Sequence, residues 1–454
     1  MFLEWLPKRI FRMGSLVLAL STFVSSGCQA VATRELDKAA RHKDALTKAR
    51  SDIEQFRKSE FNIRVVDIDG RPVSGAELEI KQISHLFKFG CYLKIDDLDP
   101  AKLPAYERDF KNLFNYAVIG SYWDFIESSR GSENWSWFDR ETALAGKMGI
   151  DVAAAPILWG TSKYGTPEWL PTKSHELWPT LEHRVKTAIK RGPAKADWEV
   201  VNEPLAPKTD VFSRTLSDEY ISRAFAWAKE TAPGKRTIIN EYGIFGSVSE
   251  HNYNRERYFR LLQNLIARDV PIDIVGIQAH ANGEWYGPAD VAEELEKYSR
   301  LGRPVQITEF SVQTANNEDQ TSPMRISGNY QSGLWNNDKQ AEFYREFYTI
   351  AFANPQVEAI VTWGLDDERA WLAGVGLIDR IGERKPAYRQ LDDLINREWK
   401  TGLMGTTGKD GRFTSRGFHG KYEVIAKSSK HRSTRQTFDL SRSNAGAWIV
   451  RLKS

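Results

Sequence analysis

The chain has 454 residues and a formal net charge of +3, from 63 Lys and Arg against 60 Asp and Glu. This near-neutral balance provides no strong field to attract nucleic acid or anionic lipid, so we expect no nucleic-acid partner. With 41% hydrophobic residues, the chain can bury a large core. Its length exceeds the roughly 250 residues of a typical barrel domain, which predicts one large domain with additional segments.

The N-terminus has the order of a secretory signal: basic residues, an apolar run at 14–24, then small residues up to Cys28. The run is too short to cross a membrane, which needs roughly 20 residues. We therefore predict a signal segment at 1–28 and an exported protein, either secreted, periplasmic or on the outer surface. The residues before Cys28 resemble a lipoprotein cleavage box, so a lipid anchor at Cys28 and ordinary cleavage with release both stay open. If processing consumes Cys28, Cys91 has no partner for an internal disulfide.

The segments that follow the signal and end the chain differ from the middle. Residues 29–59 are charged and lack a sustained apolar stripe, which predicts a solvated helical spacer. Residues 60–86 alternate apolar and polar around a turn at 69–72, as a β-hairpin does. A second strand-rich block lies at 405–454. Because a lone hairpin is only marginally stable, we expect these two β segments to pair into one small β-domain.

The segment 87–398 alternates short apolar runs with amphipathic stretches whose apolar residues recur at the helical period. Eight strand–helix repeats predict a (β/α)8 TIM barrel, an α/β fold, to which the small β-domain is attached. Catalytic groups of such barrels lie where the strands end. The candidate strands are 87–92, 115–120, 151–159, 197–202, 236–240, 273–278, 303–309 and 358–364.

Two glutamates stand at ends of these strands. Glu203 follows the fourth strand and precedes Pro204, which cannot continue a strand ladder. Glu309 ends the seventh strand. Two carboxylates at one barrel mouth can flank a glycosidic bond, with about 5–5.5 Å between them for retention and a wider gap for inversion. A Glu at a strand end can equally pair with a nearby Arg, and the joint placement is what favours catalysis.

From about residue 87 to 398 the chain resembles glycoside hydrolase family 10, the endo-β-1,4-xylanases. The resemblance implies that Glu203 is the general acid/base and that Asn202 holds the sugar 2-hydroxyl. It implies that Glu309 is the nucleophile, that His280 orients it, and that Gln278 lines the site. Its fold would be the (β/α)8 barrel.

Aromatic residues extend this resemblance. Trp363 and Trp371 match a signature after the eighth strand whose Trp residues wall the site, although either could be a core aromatic. Trp159 matches the Trp that follows the third strand. The run 385–388, Lys-Pro-Ala-Tyr, is similar to the usual C-terminal tail of that barrel. We include these three Trp residues among the predicted substrate-binding residues.

The resemblance fails on one side of the predicted cleft. After strand two, the family's usual Asn-Glu-x-Lys-Trp is replaced by Ser-Tyr-Trp-Asp-Phe at 121–125. After strand three, Ala155 stands where the active-site His is usual. Tyr122 and Asp124 are alternatives for the lost contacts, or they simply face water. Loop 161–169 looks longer than the family's and offers Lys163 or Tyr164 as substitutes.

Other chemistries lack support. No Cys or His cluster has the spacing of a zinc site, and neither a dinucleotide fingerprint nor a nucleophile elbow is present. We expect a cofactor-independent monomer that hydrolyses internal β-1,4 linkages of xylan or a xylan-like polysaccharide with retention. The alternatives are a barrel glycosidase for a different or heavily substituted β-linked glycan, and a non-hydrolytic carbohydrate-binding surface protein. Any membrane contact would come only through a lipid anchor at Cys28.

Overall fold

The computed structural model describes residues 37–162, 164–206, 210–246, 252–328, 330–444 and 446–453. The predicted signal segment, the anchor residue Cys28 and the loop residue Lys163 lie outside the described residues. Within these ranges no helix combines the length and hydropathy needed to span a bilayer.

The strands are β1 Lys58–Val66, β2 Glu77–His85, β3 Lys88–Tyr92, β4 Tyr116–Gly120, β5 Asp151–Ala155, β6 Leu158–Trp159, β7 Asp197–Asn202, β8 Thr237–Glu241, β9 Ile274–Ala281, β10 Val305–Val312, β11 Arg325–Ile326, β12 Gly333–Leu334, β13 Val357–Thr362, β14 Gly402–Thr406, β15 Arg412–Phe418, β16 Gly420–Ser428, β17 His431–Leu440 and β18 Ala447–Arg451. The helices are α1 at 37–56, α2 Leu103–Leu113, α3 Trp123–Ile126, α4 Ser136–Met148, α5 Ser174–Arg191, α6 Val211–Leu216, α7 Glu219–Thr231, α8 Arg255–Ala267, α9 Pro288–Ser299, α10 Asn337–Ala353 and α11 Pro386–Asp393, which a π-helical turn follows at Leu394–Glu398.

Eight parallel strands close into a barrel in the order β3, β4, β5, β7, β8, β9, β10 and β13, with β13 paired to β3. Every residue of β4 and β10 is buried, because strands covered by helices outside and side chains inside have no solvated face. This is why β4 reads as a continuous apolar run in the sequence, whereas the buried strand β10 also contains Gln306, Thr308, Glu309 and Ser311. All eight predicted strands are present, and the predicted TIM barrel is confirmed.

The two ends of the chain form a separate β-sandwich. One sheet has the order β15-β1-β18 and the other β14-β2-β16-β17. Their inner faces share a core that includes Ile63, Leu78, Val424 and Trp448. The sandwich therefore combines strands from both ends of the chain, and β14 begins at Gly402, before the boundary of 405 given from the sequence.

The predicted hairpin at 60–86 is wrong. β1 and β2 are joined by a tight turn, in which the Val73 amide donates to the Val65 carbonyl at 3.0 Å, but beyond it they enter different sheets. Each strand buries one face on the shared core, so the two strands lie across the sandwich from one another. Alternation alone predicts a buried face and does not choose the pairing partner.

The helix α1 is not the solvated spacer that its composition predicts. Ala49 and Ile53 are buried against the barrel core. Arg41 binds Asp290 at 3.0 Å, and its other terminal nitrogen binds Glu293 at 2.8 Å. The helix is held by a few apolar contacts and by Arg41, whose guanidinium binds two acidic residues of α9. It therefore packs on the barrel without the continuous apolar stripe that is typical of a packed helix.

Candidate active site

A cleft of about 1150 Å³ opens at the carboxyl ends of the barrel strands. Its lining includes Glu203, which follows β7, and Glu309, together with the aromatic residues predicted from the sequence. Glu309 does not end its strand as predicted, because β10 continues to Val312. All eight residues predicted for the site line this cleft: Trp159, Asn202, Glu203, Gln278, His280, Glu309, Trp363 and Trp371. The barrel therefore brings together side chains that lie more than two hundred positions apart in the chain.

Glu203 follows the last residue of β7 and has a positive φ of 51°. This left-handed conformation is strained for a residue with a side chain. The Glu203 amide donates to the Asn240 carbonyl at 2.9 Å, which fixes the turn. The strained turn lets the carboxyl reach the cleft instead of continuing the inward–outward alternation of the strand.

Both oxygens of the Glu203 carboxyl accept hydrogen bonds. Trp159 Nε1 donates to Oε2 at 2.9 Å, and Gln278 Nε2 donates to Oε1 at 2.9 Å. Burial raises the pKa of Glu203 to about 7, and the negative charge of Glu309 adds to this effect. The two donors act in the opposite direction, because they stabilise the carboxylate. Glu203 is therefore poised to gain or lose a proton near neutral pH.

Glu309 lies within β10 and is buried. Asn240 Nδ2 donates to Glu309 Oε1 at 3.0 Å, and His280 Nε2 lies 3.1 Å from Oε2. His280 Nδ1 lies 2.8 Å from the Ser311 hydroxyl. In the His280 tautomer with its proton on Nε2, the ring donates to the Glu309 carboxylate and the Ser311 hydroxyl donates to Nδ1. Glu309 is thus held by a donor on each oxygen.

A chain of amide side chains connects the two glutamates. Gln278 Nε2, which binds Glu203, also lies 3.4 Å from Asn202 Oδ1. Asn240 Nδ2, which binds Glu309, lies 3.1 Å from the same Asn202 oxygen. Asn202, Gln278 and Asn240 are buried, so this network fixes the relative positions of the two carboxyls.

Aromatic rings form the walls of the cleft near the Glu309 side. Trp363 stacks on Tyr92, with ring centroids 4.4 Å apart and an interplanar angle of 24°. Trp371 lies over His280 at 4.7 Å and is half exposed. Flat rings that face a cleft bury the apolar face of a sugar without introducing charge.

The side of the cleft formed by β4 and β6 differs from the rest. Ala155, Tyr122 and Tyr164 line it, as does Phe125 from α3, whereas Asp124 is not among the lining residues. Of the substitutes left open by the sequence, the structure therefore places Tyr122 and Tyr164 at the cleft. Lys94, which follows β3, also lines it.

Sequence reasoning missed several residues of the site. Asn240, Ser311, Tyr92 and Lys94 were not singled out, although each lies at or near the carboxyl end of a barrel strand. The rule that identified Glu203 could have found Asn240, which is a polar residue at the end of the apolar fifth strand. Tyr92 carries no such signal, since an aromatic residue at a strand end is common in cores.

The described part of the chain holds no cluster of three or more His, Cys, Asp or Glu side chains arranged for a metal ion. The site's polar groups are instead engaged with one another through the amide network. The chemistry available from them is proton transfer and nucleophilic attack by carboxyl groups.

Comparison with known proteins identifies the family. A family model described as glycosyl hydrolase family 10 matches residues 80–394, more than half of the chain. The chain belongs to this family. Endo-1,4-beta-xylanase B of Thermotoga neapolitana is 30% identical over 308 residues, which cover 64% of this chain and 83% of that protein. Endo-1,4-beta-xylanase C of Paenibacillus barcinonensis is 27% identical over 372 residues, and the match spans only 32% of that longer protein.

Solved structures agree on the fold of this family 10 hydrolase. The native xylanase 10B of Thermotoga maritima superposes with a TM-score of 0.58 at 24% identity, covering 69% of this chain and 96% of that one. The xylanase 10B of Thermotoga petrophila in complex with xylobiose gives a TM-score of 0.57 at 23% identity, covering 69% and 95%. The predicted family, barrel and class, a glycoside hydrolase, are thereby confirmed.

Proposed function

We propose that this protein is a retaining endo-hydrolase of β-1,4 linkages in xylan or a xylan-like polysaccharide. The observation that carries the proposal is a pair of carboxyls at one cleft, partly buried Glu203 and buried Glu309, joined by a single amide network. Their environments differ, since burial raises the pKa of Glu203 to about 7, while Glu309 accepts from two donors. Unequal environments are how one site holds an acid and a nucleophile together.

The reaction proceeds in two displacements. Protonated Glu203 donates its proton to the glycosidic oxygen as a Glu309 oxygen attacks the anomeric carbon, which breaks the glycosidic bond and forms a glycosyl ester. Glu203, now ionised, takes a proton from water, and the water oxygen displaces Glu309 from the sugar. Inversion at each step returns the original anomeric configuration.

The choice of xylan-like substrate is supported by relatives that are named endo-1,4-beta-xylanases and share at most 30% identity with this chain. The altered β4–β6 side favours a second candidate within the same mechanism, a different or heavily substituted β-linked glycan. A purely binding protein is less well supported, because binding alone gives no reason for an acid and a nucleophile in one network. Export, anchoring at Cys28 and a monomeric state stay predictions.

The test is product analysis on a panel of β-linked polysaccharides, with the anomeric configuration of fresh products read by NMR. We expect oligosaccharides from a xylan with the β configuration first, and loss of turnover by orders of magnitude in Glu309→Gln. Products from another glycan but none from xylan would identify that glycan as the substrate. Initial α products would exclude the double displacement, and an unaffected Glu309→Gln variant would remove Glu309 from the nucleophile role.

A further inference from the structure

Four aromatic rings on the β4–β6 side of the cleft form a continuous cluster, which we call the outer platform: Tyr122, Phe125, Trp159 and Tyr164. Neighbouring centroids lie 5.9 Å apart for Tyr122 and Phe125, 6.3 Å for Phe125 and Tyr164, 6.4 Å for Trp159 and Tyr164, and 6.1 Å for Tyr122 and Trp159. Each ring therefore contacts two others.

The outer platform begins at the catalytic acid and ends in solvent. Trp159 donates its indole proton to Glu203. Tyr164 is stacked with Trp159 at an interplanar angle of 19° and is 40% exposed, while Phe125 is 56% exposed. Phe125 thus lies two ring contacts beyond Trp159. The surface is a lateral extension of the cleft, and its outermost rings are its most exposed ones.

Exposed aromatic rings in this protein are concentrated at the cleft. Among the described residues, the exposed large hydrophobic side chains that are aromatic are Phe125, Tyr164, Tyr253 and Trp371, and all four line it. Large apolar rings left in water at a cleft mouth are a feature of ligand-binding surfaces. Packing does not require Phe125, since its neighbours on α3, Trp123 and Ile126, already provide the buried face of that helix.

We propose that Phe125 and Tyr164 form an outer stacking subsite for a sugar ring of a polysaccharide chain, removed from the bond that is cleaved. This inference rests on the proposed function and specifies its substrate as a chain long enough to reach the outer rings. Stacking recognises the apolar face of a pyranose rather than its hydroxyl edge. The outer platform therefore accepts rings whose hydroxyls carry acetyl or glycosyl substituents, on the side where the polar anchors are absent.

The experiment compares a long and a short substrate. We expect Phe125→Ala, Tyr164→Ala and the double variant to lower kcat/KM on soluble arabinoxylan by about tenfold per ring, mainly through KM. The loss on an aryl β-xylobioside should be several-fold smaller, because this short substrate does not extend to the outer rings. Phe125→Tyr keeps a flat ring and should retain wild-type kcat/KM on the polymer. Phe125→Leu keeps only apolar volume and should lower kcat/KM as Phe125→Ala does.

Two further arms separate this inference from the proposed function. Ile381→Ala changes an exposed apolar residue away from the cleft and should leave both substrates unaffected. Binding of arabinoxylan to the Glu309→Gln protein, measured by affinity electrophoresis, should weaken when Phe125 and Tyr164 are also replaced. Equal losses on both substrates, or unchanged binding, would overturn the outer subsite. If the wild type hydrolyses no β-glycan, the proposed function fails, and the binding arm alone decides whether the outer platform holds a sugar chain.

Discussion

At the residue scale, the proposed acid, Glu203, and the proposed nucleophile, Glu309, are the same residue type in different environments. Both line one cleft, yet Glu203 is partly buried, follows a strained turn and accepts from Trp159 and Gln278. Glu309 lies in a strand and accepts from Asn240 and His280. Burial dominates at Glu203 and raises its pKa to about 7, which is what a group that alternates between acid and base requires.

The pKa of Glu203 predicts how activity depends on pH. The acid form is needed for the first step, so kcat/KM should fall as pH rises above about 7. Trp159→Phe removes a donor that stabilises the carboxylate, so the pKa should rise and the alkaline limb should move to higher pH. The measurement is the pH profile of kcat/KM on a short aryl substrate.

The matched control for that variant is Trp137→Phe. Trp137 also lines the cleft, but its indole nitrogen has no hydrogen-bond partner among the described residues. Its replacement should leave the alkaline limb where it is. A limb that moves to lower pH in Trp159→Phe, or moves equally in both variants, would contradict the assignment of Glu203 as the acid.

Glu203 also predicts a pH dependence of stability. Its folded-state pKa is about 7, above the roughly 4.3 of an unfolded glutamate, so the folded state binds more protons between these values. Stability from this group is therefore complete at low pH and is lost as pH rises through that window. Relative to wild type, Glu203→Gln should gain stability between pH 4.5 and 7.5, by up to about 3 kcal/mol. Denaturant unfolding at several pH values measures this, and a difference that stays constant with pH would refute it.

At the element scale, one arginine fastens the N-terminal segment to the barrel. Arg57 Nε donates to the Phe352 carbonyl at 2.6 Å. Its Nη2 donates to the carbonyls of Asn354 and Val357 at 2.6 and 2.7 Å. These acceptors lie at and beyond the end of α10, where carbonyls lack helical partners and the helix dipole favours a cation. Although burial lowers the pKa of Arg57 to about 10, the group remains charged at neutral pH.

Arg57→Met should therefore destabilise the protein by about 2–4 kcal/mol, because buried carbonyls lose charge-assisted donors while the apolar stem is kept. Arg416→Met is the control, since exposed Arg416 donates to a single carbonyl, that of Glu54. Its replacement should change stability by less than about 0.5 kcal/mol. Urea unfolding measures both, and similar values for the two variants would show that Arg57 does not fasten the end of α10.

At the scale of the whole molecule, the chain builds a barrel and a sandwich with separate hydrophobic cores. The sandwich takes strands from both ends, so β1 has no sheet partner within its own half of the chain: it pairs with β15 and β18. This long-range pairing holds the two ends of the chain together in one sandwich. The folding of the N-terminal strands consequently depends on residues more than three hundred positions away.

Removal of residues 405–454 should leave β1 without sheet partners, because β15 and β18 are lost. It should leave β2 paired only with residues 402–404 of β14, because β16 is lost as well. We expect amide hydrogens in 58–85 to exchange orders of magnitude faster in the truncated chain, with β4 and β10 of the barrel as internal references. Persistent protection of 58–85 beside protected barrel strands would show that the N-terminal strands fold without the C-terminal block.

The barrel and the two candidate catalytic glutamates are predictable from local features of the sequence. Eight buried strands are recognisable from local composition, since a strand covered on both faces must be apolar along its length. Glu203, which follows such a strand, and Glu309, which lies within one, are conspicuous charged residues for the same reason. Trp159, Gln278 and His280 were implied by the resemblance to glycoside hydrolase family 10, and all lie in the cleft.

Contacts between distant segments could not be predicted in this way. Period-two alternation specifies that β1 and β2 each bury one face, and both a hairpin and a sandwich satisfy that pattern. The sandwich forms because both strands pair with C-terminal strands instead of with each other. Helix α1 docks through Arg41, Ala49 and Ile53, a pattern too sparse to register as amphipathic. The bond from Asn240 to Glu309 and the ring contacts of the outer platform likewise come from barrel closure. Local patterns record whether a residue is buried, whereas contacts between distant segments depend on geometry that no short window of sequence contains.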